Sequence, residues 1–324
     1  MSLLEINNLN VDFVTDHGRL RAVDGISLQV DTGETLAIVG ESGSGKSVTS
    51  LALMGLIDEP GVVQAERIQF NEQDLLRTGQ ANMRNILGND LSMIFQDPAS
   101  SLNPCFTVGR QLNETLKRHT SLGRRARRKR ALQLLNDVGI PDPENRITAW
   151  PHQLSGGMSQ RVMIALAIAC SPSLLIADEP TTALDVTIQA QIMDLLASLS
   201  VQSGMAMILI THDLGVVADA ADRVLVMYAG QAVELADKDA LFSRPRHPYT
   251  RALMKSMPAG ARLTEGRRLP VIPGKVPRPG EEIHGCRFHP RCEFARSRCK
   301  SERPTLDALD GRSVRCFYPL GEIE

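Results

Sequence analysis

Eight residues, Gly40-Glu41-Ser42-Gly43-Ser44-Gly45-Lys46-Ser47, constrain this chain more than any other stretch. They follow an apolar run, Thr35-Leu36-Ala37-Ile38-Val39, that reads as a buried strand, and precede Val48-Thr49-Ser50-Leu51-Ala52-Leu53-Met54, which reads as the start of a helix. Strand, glycine-rich loop and helix are the setting in which G-x-x-x-x-G-K-[ST] becomes a phosphate cradle. Gly40, Gly43 and Gly45, with Ser42 and Ser44 between them, let the backbone curl so that successive N–H groups turn toward phosphate oxygens. The helix start adds its partial positive charge. On this pattern Lys46 reaches the β- and γ-phosphates of ATP, and the Ser47 hydroxyl binds Mg²⁺.

The 324 residues suffice for one large domain and a smaller one, and 43% hydrophobic content allows a packed core. With 36 basic against 37 acidic residues, the balance argues against a dedicated nucleic-acid binder. The start, Met1-Ser2-Leu3-Leu4-Glu5, has neither a basic region nor a long apolar one, and the longest apolar runs, such as Val162 to Cys170, reach only about half a membrane span. A soluble, cytoplasmic chain is the expectation. Residues 2–35 alternate apolar and polar, which predicts antiparallel strands with one wet face. From about 98 to 170 the pattern is helical, with Leu112, Leu116, Leu132, Leu135 and Val138 at helical spacings. Leu174–Ala177 and Met205–Ile210 read as strands covered on both faces, with a helix from Val186 to Leu199 between them. Arg223–Tyr228, Ala229-Gly230 and Gln231–Glu234 read as a hairpin. Residues 258–283 are rich in proline and arginine and read as an extended linker. The expected domains are therefore 1–258, with a helical part at about 98–170, and an extension at 259–324.

Two further patterns carry chemistry. Leu174-Leu175-Ile176-Ala177-Asp178-Glu179 is an apolar strand ending in two acids, at the place where open α/β sheets put their ligands. Taken alone, such a pair reads equally well as a solvated turn. Beside a phosphate loop, Asp178 suits Mg²⁺ and Glu179 suits the polarisation of an attacking water. In Leu154-Ser155-Gly156-Gly157-Met158-Ser159-Gln160, Ser155 is a natural helix cap and two glycines bare the first N–H groups, which makes a second anion-binding helix start. Two phosphate devices with one set of metal ligands suggest that the second serves a nucleotide held by another chain.

Gly40–Ser47, Gln96, Leu154–Gly157, Asp178-Glu179, Ala183-Leu184-Asp185 and His212 stand in the order of an ABC-transporter nucleotide-binding subunit, and the chain resembles that family over nearly its whole length. Met93–Pro98, Ser101-Leu102-Asn103-Pro104, Gly156–Arg161, Arg246-His247-Pro248-Tyr249-Thr250 and Ile272–Pro277 make it similar to the dipeptide/oligopeptide importer branch. The resemblance implies a P-loop NTPase of the ABC ATPase fold. That is an α/β architecture with a mixed sheet core, an antiparallel β subdomain, an α-helical subdomain and a small cysteine-containing C-terminal extension. It implies that Phe13 stacks on adenine, although a core phenylalanine is the ordinary alternative. Gln96 would sense Mg²⁺ and the water. Ser155, Gly156 and Gly157 would bind the γ-phosphate held by a partner, Asp185 would cross the dimer interface, and His212 would contact the γ-phosphate. Met158 stands where most of the wider family has glutamine.

The implied function is an ATPase subunit that powers uptake of dipeptides or oligopeptides from the cytoplasmic face of the bacterial inner membrane. Its implied partners are a second, non-identical ATPase, two transmembrane permease subunits and an extracytoplasmic peptide-binding protein, without nucleic acid. An importer for nickel or another small solute is the near alternative. A soluble ABC ATPase of DNA repair or translation is the distant one. Repair types insert a long coiled coil before the signature helix, whereas only about a hundred residues separate Lys46 from Ser155.

Cys286, Cys292, Cys299 and Cys316 supply four thiolates, enough for Zn²⁺ or a [4Fe–4S] cluster. Their gaps are wider than the tight pairs zinc prefers, and the resemblance adds an iron–sulfur cluster in some relatives; free or disulfide-bonded cysteines are the remaining reading. The run Arg124–Arg130 has no interleaved aromatic residues and reads as a solvated helix face, with anionic lipid headgroups as a neighbour.

Overall fold

A computed structural model describes residues 2–16, 18–182, 184–256, 271–277, 281 and 283–321. Ala183 and most of the expected linker at 258–283 lie outside them. The chain divides into two compact units, one of Asp31–Glu34 with Arg77–Leu209, the other of Ser2–Val30, Thr35–Leu76 and Ile210–Glu324.

In the first unit, Leu91–Ile94 runs parallel to Leu174–Asp178, and Ala206–Ile210 lies on the other side of Leu174–Asp178. Every residue of these three strands is buried, which is why their sequence is apolar without alternation. Helices Val108–His119, Arg124–Asp137 and Gly156–Ala167 pack on one another. Leu112, Leu116, Leu135 and Val138 are buried as their spacing predicts, but Leu132 is only half-buried and Leu134 takes its place. Ala131, Leu134, Leu135 and Val138 form the i, i+3, i+4, i+7 stripe, which turns Leu132 to its edge. The helical pattern that runs to about residue 170 ends as regular helix at Ala167, because Ile168–Cys170 tighten into turns that end at Ser171 in the left-handed region (φ 56°). Arg124, Arg125, Arg128 and Lys129 are exposed, as a solvated face requires. Val186–Ser203 ends on Gly204 at φ 65°.

In the second unit, Ser2–Thr15 is the centre of an antiparallel sheet, with Leu4 opposite Phe70, Ile6 opposite Ile68 and Phe13 opposite Gly61. The buried set shifts phase between Ile6 and Leu9, where Asn8 takes a left-handed φ of 53°. Thr35–Val39 pairs parallel with Arg223–Tyr228, which forms the expected hairpin with Gln231–Asp237. Both turn residues, Ala229 (φ 46°) and Gly230 (φ 84°), have the positive φ that tight two-residue hairpins demand. The C-terminal residues continue this sheet: Arg312–Val314 pairs with Gln231–Asp237, and Asp307–Leu309 with Arg312–Val314. Phe288 packs edge-on against Tyr228 and Tyr249, with ring centroids 5.2 and 5.3 Å away, in the core that also buries Val39, Val226 and Leu241. No described helix is long and apolar enough to cross a membrane.

Candidate active site

The phosphate loop lies between the buried strand Thr35–Val39 and the helix Lys46–Leu53. A side chain at Gly40 would strike the backbone oxygen of Met227, and one at Gly45 would come within 2.7 Å of the Ala22 oxygen, so at both positions the loop passes too close to the main chain of a neighbouring strand for anything but glycine. Gly45 (φ 98°) caps the helix without a side-chain acceptor, which leaves the first N–H groups for an anion. Lys46 is buried, and its ammonium donates to the Gly40 and Glu41 carbonyl oxygens at 2.9 and 3.2 Å. Ser44 is 1% exposed, and its hydroxyl oxygen has no hydrogen-bond partner among the described residues. Ser42 is exposed and Ser47 half-buried. Beside the loop opens a pocket of about 400 Å³, with Phe13, Arg21, Gly43, Gly45, Val48 and Arg287 in its walls. Phe13 therefore faces the loop's cavity with its ring half-buried rather than filling the core. His212 is exposed in the same unit, between the strand that ends at Ile210 and the helix capped by Asp213.

The acids stand in the first unit. Asp178 is buried at the end of its strand. Glu179 follows in the left-handed region at φ 45°, a conformation that costs a side-chain-bearing residue free energy and recurs where function fixes the geometry. One oxygen of its carboxylate accepts from the Thr182 hydroxyl at 2.8 Å and from the Gln96 amide at 3.1 Å. Gln96 and Glu179, which the sequence offered separately, are thus hydrogen-bonded, and Thr182 is a partner that residue patterns gave no reason to select. Ser155 caps the helix Gly156–Ala167 by accepting from Met158 N at 3.3 Å, and Ser155 and Gly156 are exposed. A Cβ on Gly157 would press on Ile188 at 3.2 Å, so this helix start packs against the helix that Asp185 caps by accepting from Ile188 N.

Glu41, an unspecified position of the loop motif, is the residue that sequence reasoning missed. Its N–H donates to the Tyr249 hydroxyl at 2.9 Å, and its carboxylate takes both arms of the Arg291 guanidinium at 2.7 and 3.0 Å. That hydrogen bond from Arg291, more than any other influence, holds the guanidinium well above its ordinary pKa.

The four C-terminal cysteines line one small apolar cavity with His247, Phe288 and Phe294. None is in a disulfide. Burial pushes the Cys292 thiol up to about 11 and the Cys316 thiol up to about 12, and neighbouring cysteines add to both shifts. Among the described residues, no group of three or more His, Cys, Asp or Glu side chains stands in metal-holding geometry.

A glycine loop on a buried strand, and a strand end whose glutamate is held by a glutamine, define a P-loop ATPase of the ATP-binding cassette class. Residues 23–182 match the ABC transporter family, and residues 233–299 match the C-terminal region of oligopeptide/dipeptide transporters. The chain is 56% identical over 323 residues to the dipeptide transport ATP-binding protein DppD of Escherichia coli (strain K12), covering 99% of this chain and 98% of that one. It is 48% identical to the oligopeptide transport ATP-binding protein AppD of Bacillus subtilis (strain 168), covering 98% and 96%. Among solved structures it resembles the ATP-binding cassette MJ0796 in a dimeric post-hydrolysis state bound to ADP and Pi, with a TM-score of 0.65 and 26% identity over 72% of this chain and 98% of that one. The chain belongs to the ATP-binding subunits of ABC transporters, in their oligopeptide/dipeptide branch. It is an ATPase.

Proposed function

We propose that this ATPase powers the import of dipeptides and short oligopeptides, working at the cytoplasmic face of the inner membrane beside a second, non-identical ATPase. Two permease chains and an extracytoplasmic peptide-binding protein complete the assembly. The observation that carries the catalytic part is the carboxylate of Glu179, fixed by Gln96 and Thr182 at the end of an apolar strand. Glu179 takes a proton from the attacking water, and Gln96 orients the pair. Lys46 and the loop N–H groups bind the β- and γ-phosphates, and Phe13 holds the base in the pocket beside them. His212 stands by the γ-phosphate. Ser155, Gly156 and Gly157 serve the nucleotide of the partner chain, and Asp185 contacts that chain. Closure of the two chains on ATP drives the permease outward-facing by population shift, and hydrolysis resets it. A groove of about 720 Å³ in the first unit, with exposed Phe95 in its wall next to Gln96, suits a permease segment whose seating reports on the site.

Ser47, Gln96 and Asp178 each carry an oxygen donor of the kind magnesium takes; they would hold Mg²⁺, which would supply charge neutralisation at the phosphates. Four soft donors line the cysteine cavity, and burial raises the thiols of Cys286, Cys292 and Cys316; this donor chemistry supports the reading of a [4Fe–4S] cluster. Cys286, Cys292, Cys299 and Cys316 would hold it, and its role is to staple the extension, with Zn²⁺ as the alternative metal.

Glu179→Gln tests the reading. The variant should bind ATP, pair with its partner chain and hydrolyse about 10²–10⁴-fold more slowly. Ordinary turnover in that variant removes Glu179 from the role.

A further inference from the structure

The C-terminal segment grips the phosphate loop at one place and the hairpin turn beside it at another, each next to one of its cysteines. Arg291, which immediately precedes Cys292, makes the bidentate pair with Glu41. Its own position is fixed: its side chain is 4% exposed, Nε donates to Pro273 O at 3.0 Å, and Nη1 lies 3.4 Å from the Tyr228 hydroxyl. A guanidinium fork on a carboxylate is the strongest and most directional of surface-accessible contacts, and here one partner is almost fully removed from water. Arg287, which immediately follows Cys286, donates to Ala229 O and to Asp24 at 2.6 Å. The turn it holds passes the constraint on, since Gly230 N donates to Ser44 O of the loop at 2.9 Å.

A loop with glycine at 40, 43 and 45 has much backbone freedom to lose when it closes on a triphosphate. Whatever fixes it beforehand strengthens nucleotide binding by reducing that loss. Glu41 is fixed from three directions: Lys46 on its carbonyl, Tyr249 on its N–H and Arg291 on its carboxylate. Lys46 belongs to the loop itself, and the other two come from the C-terminal third of the chain.

We propose that Arg291, seconded by Arg287, is a positioning residue for the phosphate loop, so that affinity for ATP is set from the cysteine-bearing C-terminal segment. The proposal rests on the chain's assignment as an ATPase and not on which metal its cysteines hold. Equilibrium titration of the purified full chain with a fluorescent ATP analogue, together with steady-state hydrolysis by the chain paired with its partner ATPase, tests it. Arg291→Ala should weaken binding about tenfold, the scale of one charge-assisted hydrogen bond. Arg291→Lys, which keeps the charge and loses the fork, should fall between. The loss should appear in KM for ATP rather than in kcat. Glu41→Gln should show a similar loss, and the double variant Glu41→Gln with Arg291→Ala should be no worse than the weaker single variant. If Arg291→Ala does not yield folded protein, Glu41→Gln and Arg287→Ala carry the test on the same readout. Wild-type affinity in folded Arg291→Ala or Glu41→Gln, or losses that multiply in the double variant, would overturn the proposal. A wild-type chain that bound no ATP would instead overturn the assignment on which it rests.

Discussion

Gln96 donates its side-chain amide to the Glu179 carboxylate over 3.1 Å, although the two stand 83 residues apart. The bond gives a glutamate in a strained backbone conformation a fixed direction, shared with the Thr182 hydroxyl. Gln96→Ala should therefore slow hydrolysis about tenfold, the scale of one orienting hydrogen bond, with ATP affinity little changed. Single-turnover kinetics at saturating ATP check this; an unaltered chemical step would mean that Thr182 suffices.

Gly40 has no room for a methyl group, because the Met227 backbone oxygen occupies that position. The obstacle is main chain in a central strand and cannot swing away. Gly40→Ala should lower stability by about 1–3 kcal/mol and abolish ATP binding. Thermal unfolding with and without ATP is the measurement, and a stable variant that ATP protects would contradict the packing.

His247 is buried, and its Nδ1 accepts from Tyr249 N at 3.0 Å. Burial lowers its pKa to about 3. Below about pH 6.5 the unfolded chain binds a proton there that the folded chain does not take up until about pH 3. The His247 contribution to stability is thus complete above pH 6.5 and is lost progressively as pH falls toward 3. His247→Asn keeps an acceptor for the Tyr249 N–H and has no such proton, so urea midpoints at pH 7.5 and pH 5 should differ less for it than for the wild type. Equal acid sensitivity of the two proteins would place the effect elsewhere.

The thiols of Cys292 and Cys316, raised to about 11 and about 12 by burial, should stay protonated at neutral pH in metal-free chain. Iodoacetamide at pH 8 should then label exposed Cys105 first and those two slowly. Anaerobically purified protein should be brown and contain iron, and Cys292→Ser should remove the colour. Colourless, iron-free wild-type protein would exclude the cluster, and bound zinc in its place would select the other metal.

What was legible in the sequence was local. Gly40–Ser47, the doubly buried strands and the Ala229-Gly230 hairpin each declare themselves within a dozen residues, because their glycines and apolar runs are required by backbone geometry on the spot. Glu41 and Arg291 are separated by 250 residues, and nothing in either neighbourhood marks one as the other's counterion. The convergence of four widely spaced cysteines on one cavity likewise follows from no local spacing, since their gaps match no tight ligand pair. Leu134 rather than Leu132 completes the stripe: Leu132 stands three residues before Leu135 and Leu134 four before Val138, so each fits a helical spacing, and only packing chooses between them.

The Lys46 ammonium already rests on two carbonyl oxygens of its own loop. Capture of a triphosphate thus exchanges one set of oxygen ligands for another around a cation that stays dehydrated throughout. Much of the desolvation cost of recruiting that charge is met when the chain folds, so binding can discriminate by the charge and shape of the arriving oxygens.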